Sequence, residues 1–280
     1  MKRPAKYFPA LLVLLTLAGC TLEQKLARNF VENGVKDDFI LMQPDFIFKY
    51  NLKTYEIEGM DALSESEKDS LLLDKTIYLK QIDDSAFIQY FVTGFFDYCK
   101  KLGLHAFPQN YLDTFMADGK QAYVINIAQF TLEEYVHPYS SDEEINDEVY
   151  TIENIDLNAI NYNVWLELSA LNTENKRKVL FSSNSLMDEL NGVLMQHIFS
   201  GETRYNYSID TITMTQVYGF AMTFGQEVAN KFYDYILNWY IDKELPYDYQ
   251  YEHYYYHYDP EKHSIYPIDH NEALIELDNK

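Results

Sequence analysis

The fold class depends most on the stretch Ile160–Ala170, whose sequence is INYNVWLELSA. Apolar side chains occupy every second position, and the positions between them are mostly polar. Because successive side chains of a β-strand point to opposite faces of a sheet, this alternation predicts a strand with one buried face. A polar turn follows, and Val179–Phe181 is then predicted to return as the partner strand.

Other β-rich stretches lie on both sides of this strand. Tyr123–Phe130 is rich in β-forming residues, and its alternation changes phase near Gln129, which predicts a β-bulge. Phe39–Met42 and Phe46–Tyr50 are also predicted to be strands. Residues 203–209 are a further candidate, so the centre of the chain is expected to form a sheet.

Helical periodicity appears in three places. Residues 64–80 begin with acidic residues, and Asp84–Gly103 carries aromatic and aliphatic side chains at helical spacing. Residues 213–241 have a long apolar stripe, preceded by Thr213 and Gln216 at the spacing of a capping box. Each of these segments is therefore predicted to form a helix.

The order of these elements is strand, helix, helix, strands, helix. That order predicts an α+β fold, with an antiparallel sheet and amphipathic helices packed on one face. No internal repeat or linker interrupts residues 38–245, so they are expected to form a single α+β domain. Residues 20–37 are predicted to be a short tether, although residues 21–37 could instead form a first helix. Residues 1–19 are predicted to be a signal peptide, and residues 246–280 a Tyr/His-rich C-terminal tail.

The N-terminus has the pattern of a secretory leader. Lys2, Arg3 and Lys6 precede an apolar run at 10–17, which is too short to span a bilayer as a stable helix. The run ends in LAGC at residues 17–20, small residues before a cysteine, and this resembles the lipobox of bacterial lipoproteins. The alternatives are an ordinary signal peptide or a buried apolar helix.

The lipobox resemblance has direct consequences for location. It implies that residues 1–19 are removed and that Cys20 becomes the acylated first residue. Several acyl chains, such as palmitate, anchor a protein stably without a spanning helix. In members of Bacteroidota, surface-exported lipoproteins carry an acidic cluster just after this cysteine. Thr21–Lys25 has one acid and one base, so the protein is expected to be anchored in the outer membrane and to face the periplasm.

The remainder of the chain resembles uncharacterised lipoproteins of Bacteroidota. Phe39–Leu52 and Ile155–Asn161 carry this resemblance, which includes no motif of known chemistry. The order of elements is also similar to that of small periplasmic auxiliary lipoproteins of envelope transport and assembly systems. Such a likeness bears on the fold and does not fix the function.

Composition excludes several classes of protein. The net charge of −22 disfavours binding to nucleic acid and to anionic membrane surfaces. Two cysteines exclude a disulfide scaffold and a Cys₄ zinc site. The second cysteine, Cys99, lies among aromatic residues and is predicted to be a buried apolar side chain rather than a reactive thiol.

Two segments suggest ion binding only as minor alternatives. The acidic segment Asp142–Glu148 lacks the ligand pattern of an EF-hand, so a solvated hairpin loop is expected there. Seven of the twelve residues in Tyr247–Tyr258 are tyrosine, and His253 and His257 are four apart, which on a helix would put both on one face. This segment could instead pack over the domain, fray, or form a contact surface. No metal and no cofactor is predicted.

Motifs of catalysis are absent from the sequence. It contains no nucleophile elbow, no P-loop and no dinucleotide-binding fingerprint. Paired carboxylates such as Glu133–Glu134 are expected by chance in a chain with 44 acidic residues. A non-enzymatic protein is therefore expected, and no catalytic residue is predicted.

Three hypotheses about function follow. The first is an accessory lipoprotein of an envelope assembly or transport complex, which binds a protein partner through an aromatic surface. The second is a lipoprotein that binds a small ligand or glycan, with exposed tyrosines and Trp165 stacking on sugar rings. The third, a hydrolase, would require a pocket that contains a carboxylate of raised pKa.

Overall fold

The computed structural model describes residues 22–53, 63–118, 122–171, 177–246 and 254–277. Within them, helices pack against a mixed β-sheet, which confirms the predicted α+β class. No helix in these ranges is long and apolar enough to cross a membrane.

The helices are α1 (Leu22–Asn33), α2 (Glu65–Asp74), α3 (Asp84–Leu102), α4 (Leu112–Asp118) and α5 (Met214–Glu244), with 3₁₀ turns at Leu79–Gln81, Gln109–Tyr111 and His270–Glu272. The strands are β1 (Asp38–Met42), β2 (Phe48–Asn51), β3 (His105–Pro108), β4 (Ala122–Ile145), β5 (Glu148–Ala170), β6 (Lys178–Met187), β7 (Glu189–Gln196), β8 (Thr203–Asp210), β9 (Tyr255–Asp259), β10 (Ser264–Ile268) and β11 (Ile275–Leu277).

The main sheet has the strand order β11-β6-β5-β4-β1-β3, and β2 also pairs with β4. The strand pairs β4–β5, β5–β6 and β6–β11 are antiparallel, as predicted. However, β1 runs parallel to both β3 and β4, and β2 runs parallel to β4. The sheet is therefore mixed rather than antiparallel throughout. Parallel neighbours need a crossover connection, and helices α2 and α3 lie in the chain between β1 and β3.

The main core lies between the sheet and helices α3 and α5. It includes Phe87 and Phe91 of α3, Phe224 of α5, and Phe130 and Tyr162 of the sheet. A second, smaller cluster lies against β1, where Ile40 packs with Phe115 of α4 and with Ala122. Because Ile40 points away from its neighbours Phe39 and Leu41, helices lie against both faces of β1.

The long hairpin formed by β4 and β5 has the predicted irregularity. The register between the strands shifts between Ile127 and Gln129, which confirms the bulge. The hairpin turns at Asn146 and Asp147, both with positive φ, as a two-residue hairpin turn of type I′ requires. The acidic segment Asp142–Glu148 is thus the end of a hairpin, as expected.

Helix ends and the buried cysteine also match the sequence analysis. Thr213 and Gln216 form the predicted capping box, and Ser64 and Glu67 form another at α2. Cys99 is 1% exposed in the core, and burial raises the pKa of its thiol. An inert apolar side chain is therefore confirmed at this position.

Both ends of the described chain pack against α5. Phe30 of α1 contacts the rings of Tyr233 and Tyr240. Near the C-terminus, β9 and β10 form a hairpin, and β11 joins the main sheet beside β6. Asn238 of α5 accepts a hydrogen bond from the Tyr256 backbone N–H and donates one to its carbonyl, both at 2.8 Å. The segment 254–277 therefore packs over the domain.

Candidate functional site

Two of the residues named as candidates in the sequence, Cys20 and His253, lie outside the described residues. His257 lies on strand β9, so the helical spacing that suggested a metal-binding pair does not apply to it. The described ranges contain no group of three histidine, cysteine or acidic residues that could hold a metal ion.

His257 instead forms a pair with a buried carboxylate. Its Nδ1 lies 2.6 Å from Oδ2 of Asp234, and Oδ1 of Asp234 accepts a hydrogen bond from the Tyr258 backbone N–H at 2.9 Å. Burial raises the pKa of Asp234 to about 6, although the bonds from His257 and Tyr258 oppose this rise. Burial lowers the pKa of His257, but the hydrogen bond and charge of Asp234, with nearby Asp259 and Glu272, outweigh it and raise that pKa. The pair holds β9 against α5.

Trp165, the predicted sugar-stacking residue, is half-buried on β5. Its ring packs against Phe181 of β6 with ring centroids 4.9 Å apart. The structure thus uses this ring in a cross-strand pair, where aromatic neighbours stabilise a sheet.

A surface that the sequence analysis did not single out lies on what we call the β-arm. The β-arm consists of residues 139–157 of the β4–β5 hairpin and of the β7–β8 hairpin, residues 189–210. Within the described ranges, residues 139–155 form strand pairs only with each other, because the neighbouring strands of the sheet pair with other parts of β4 and β5. The β-arm therefore continues past the ladder of the main sheet.

The two hairpins of the β-arm have a small core of their own. Asn146, in the turn of one hairpin, donates a hydrogen bond to Gln196 near the turn of the other at 2.7 Å. Both turns therefore lie side by side at the tip. The core comprises Ile152, Ile155, Leu157, Tyr139, Leu190, Tyr205 and Ile209.

The tip exposes two large apolar side chains in adjacent positions. Ile198 and Phe199, in the turn between β7 and β8, are 93% and 94% exposed. The turn is closed by backbone hydrogen bonds between His197 and Glu202 and between Gly201 and His197, which do not involve these side chains. Beside them, Met195 helps to line a groove of about 660 Å³. Nothing in the turn requires apolar residues, and exposed apolar clusters mark interaction sites.

The β-arm is strongly acidic around this apolar tip. Residues 139–157 and 189–210 contain ten acidic residues and one basic residue, Arg204. Arg204 itself forms an ion pair with Glu202 at 2.8 Å. A partner of this surface must therefore tolerate or complement negative charge around an apolar contact.

Comparison with known proteins adds no relative. No protein family, curated protein or solved structure matches this chain. The assignment of function consequently depends on the chemistry of its own surfaces.

Sequence reasoning had one usable signal for the tip. Ile198 and Phe199 directly precede Ser200 and Gly201, so two apolar residues stand where a polar turn is the norm. They belong to no periodic stripe, and for that reason they could not be assigned to a core.

Proposed function

We propose that this protein is a non-enzymatic accessory lipoprotein of the cell envelope that binds a protein partner through the tip of its β-arm. Cys20 anchors it by acyl chains in the outer membrane, and the folded domain faces the periplasm. The near-complete exposure of Ile198 and Phe199 on an acidic arm is the observation that supports this proposal.

The anchor and the domain are close together in the proposed arrangement. Helix α1 begins at Leu22, two residues after Cys20, and its Phe30 packs on α5. Two residues span at most about 7 Å, so the domain would lie next to the membrane surface rather than at the end of a long tether. The partner would accordingly be a component at or near the membrane.

The chemistry of the tip defines the partner that it fits. An apolar pocket would receive Phe199 and Ile198, because burying large apolar side chains is what drives association. Lysines or arginines around the pocket would complement the acidic arm and accelerate encounter. An anionic membrane surface is disfavoured as the occupant, because it would repel the ten acidic residues of the β-arm.

The anchor is tested by replacing Cys20 with alanine in the full chain. We expect the wild-type protein to sediment with membranes and to incorporate a radiolabelled fatty acid, and the variant to do neither. The measurement is fractionation of cell envelopes with immunoblotting. Membrane association that survives the substitution at high salt would contradict lipid anchoring through Cys20.

The docking surface is tested with Ile198→Ser and Phe199→Ser together. We expect at least a tenfold loss of affinity for the partner, because hot-spot apolar side chains each contribute more than about 1 kcal/mol. The partner is first identified by native co-purification, and binding of the purified partner is then measured. Thermal stability should be unchanged, since both side chains lie outside the cores.

Met116→Ser is a matched control for this experiment. Met116 is 57% exposed on α4, away from the β-arm. The control should retain the partner, and wild-type binding should weaken as salt rises because the proposed contact is partly electrostatic. Equal binding by the control and the double variant would refute docking through the tip. Binding to neutral lipid vesicles that depends on Phe199 would show a membrane-inserting tip instead.

A further inference from the structure

A polar cleft lies between α5, β6 and the C-terminal hairpin, on a different surface from the tip of the β-arm. Its volume is about 390 Å³, which is within the range of small-molecule sites. Its walls hold Ser183, Asn184, Glu227, Asn230, Lys231, Asp234, His257, Tyr266, Ile268 and Glu272.

The charged side chains of the cleft are fixed by one another. Lys231 lies 2.7 Å from Glu227, which also accepts a hydrogen bond from Asn184. His257 is held by Asp234 at 2.6 Å, and the Tyr266 ring packs edge-on against the His257 ring. A ligand would therefore meet groups that already have defined orientations, which lowers the entropic cost of binding.

One polar atom in the cleft lacks a hydrogen-bond partner among the described residues. The Oδ1 atom of Asn230 is buried and accepts no hydrogen bond from any of them. Native proteins leave few buried polar atoms unpaired, because each one costs free energy. The carbonyl of Asn230 thus marks a position where a ligand could donate a hydrogen bond.

Charge and polarity limit the class of ligand. The walls hold two ion pairs, Lys231 with Glu227 and His257 with Asp234. Glu272 adds one further negative charge, so the cleft disfavours an anionic ligand. Among the described residues, only Tyr266 and Ile268 present apolar side chains to the cleft, which is too little for a hydrophobic molecule. Carboxamides, a carboxylate and an ammonium beside one aromatic ring suit a molecule with many hydroxyls and one apolar face.

We propose that this cleft binds a neutral sugar, with a ligand hydroxyl donating to Oδ1 of Asn230 and a ring face lying along Tyr266. Lys231 would donate to a second ligand oxygen.

The serine of the cleft, Ser183, donates its hydroxyl hydrogen to Asn161 at 3.0 Å, so it is not oriented as a nucleophile by His257. Asp234, whose pKa burial raises, is itself buried, and its two carboxylate oxygens are bound by His257 and by the Tyr258 backbone N–H. Neither side chain is thus free to attack a ligand, so binding rather than hydrolysis is proposed.

The test uses the purified full chain in mild detergent and a panel of neutral sugars. The panel comprises glucose, galactose, mannose, N-acetylglucosamine, N-acetylgalactosamine, fucose, rhamnose and their common disaccharides, with glucuronate and spermidine as charged controls. Saturation-transfer NMR identifies binders and calorimetry gives affinities. We expect saturable binding of at least one neutral sugar, and at least tenfold weaker binding of both charged controls.

The variant Asn230→Ala separates ligand binding from folding. We expect about tenfold weaker sugar binding, since one hydrogen bond is lost. The melting temperature without sugar should stay the same or rise, because the Asn230 carbonyl accepts no hydrogen bond from the described part of the unliganded fold. Gln89→Ala, an exposed change on α3 outside both the cleft and the β-arm, should alter neither sugar binding nor partner binding.

Three results would overturn the inference. They are no saturable binding by any sugar of the panel, unchanged binding by Asn230→Ala, and preferential binding of glucuronate or spermidine. None of these bears on docking at Ile198 and Phe199, which is measured separately with a protein partner.

Discussion

Replacing Gly94 with alanine should destabilise the fold by about 3 kcal/mol or more, and Gly225→Ala should do the same. Both glycines lie where α3 crosses α5. A Cβ atom at Gly94 would lie closer than 3.0 Å to the backbone carbonyl of Met222, and one at Gly225 would lie that close to the carbonyl of Phe91. Backbone atoms cannot rotate away as a side chain can, so the helices would have to separate.

Separation of the two helices would also open the core. Phe91 and Phe224 flank the crossing and pack against one another and against Phe130 of the sheet. A shift of either helix would loosen these contacts, which interiors packed at crystal-like density do not tolerate. Urea denaturation followed by circular dichroism measures the change in the free energy of unfolding.

Gly219→Ala is the matched control, because Gly219 lies in α5 as well and a Cβ atom there would meet no described atom within 4 Å. Alanine is favoured over glycine in a helix interior by about 0.5–1 kcal/mol. The control should therefore be neutral or slightly stabilising. If Gly94→Ala is as well tolerated as Gly219→Ala, the close approach of the two helices is wrong.

Local patterns in the sequence were sufficient for much of the fold. The alternation in Ile160–Ala170, the phase change near Gln129 and the capping box at Thr213 each depend on neighbours within a few residues. Each is confirmed. The mixed sheet could not be predicted in this way, because the parallel pairing of β1 with β4 joins segments about 80 positions apart in the sequence.

The C-terminal segment shows the same limit. Its tyrosines have no clear period, and what orders it are the side chains of Asn238 and Asp234, which bind the backbone of β9 from α5. The His257–Asp234 pair arises from that docking, as does the cleft beside it. The spacing of His253 and His257 suggested a metal-binding pair on a helix, because spacing alone does not show that His257 lies on a strand.

The lipid anchor stays a prediction, since Cys20 lies outside the described residues. By contrast, the sequence signal for the tip of the β-arm is limited to two apolar residues before Ser200 and Gly201, and its place on the surface is visible only in three dimensions. Ile198 and Phe199 become unusual when the structure shows that the turn lies at the end of an arm with a core of its own.

The second large effect is expected at Glu134, one of a carboxylate pair that the composition alone would explain by chance. Glu134 is fully buried, and its carboxylate accepts hydrogen bonds from the backbone N–H groups of Ile77, Tyr78 and Leu79 at 2.7, 2.9 and 3.2 Å. Lys53 lies 2.7 Å from it with a side chain only 7% exposed. One carboxylate thus joins β4 to the chain that leads into α3.

Glu134→Ala should lower the free energy of unfolding by about 3–5 kcal/mol, the usual cost of removing one partner of a buried ion pair. The substitution leaves the Lys53 ammonium without its carboxylate and three backbone donors without an acceptor. Glu144→Ala, an exposed acidic residue on the same strand, should change stability by less than about 0.5 kcal/mol. Urea denaturation of both variants measures the difference.

A second substitution separates the charge from the hydrogen bonds at Glu134. Adding Lys53→Met to Glu134→Ala removes the unpaired buried ammonium, so part of the lost stability should return, whereas Lys53→Met alone should be destabilising. Such a non-additive cycle requires that the two groups interact in the folded state. Strictly additive effects would mean that the carboxylate stabilises the fold through the backbone of residues 77–79 alone. A mild effect of Glu134→Ala on the free energy of unfolding would refute the role of Glu134 in joining β4 to residues 77–79.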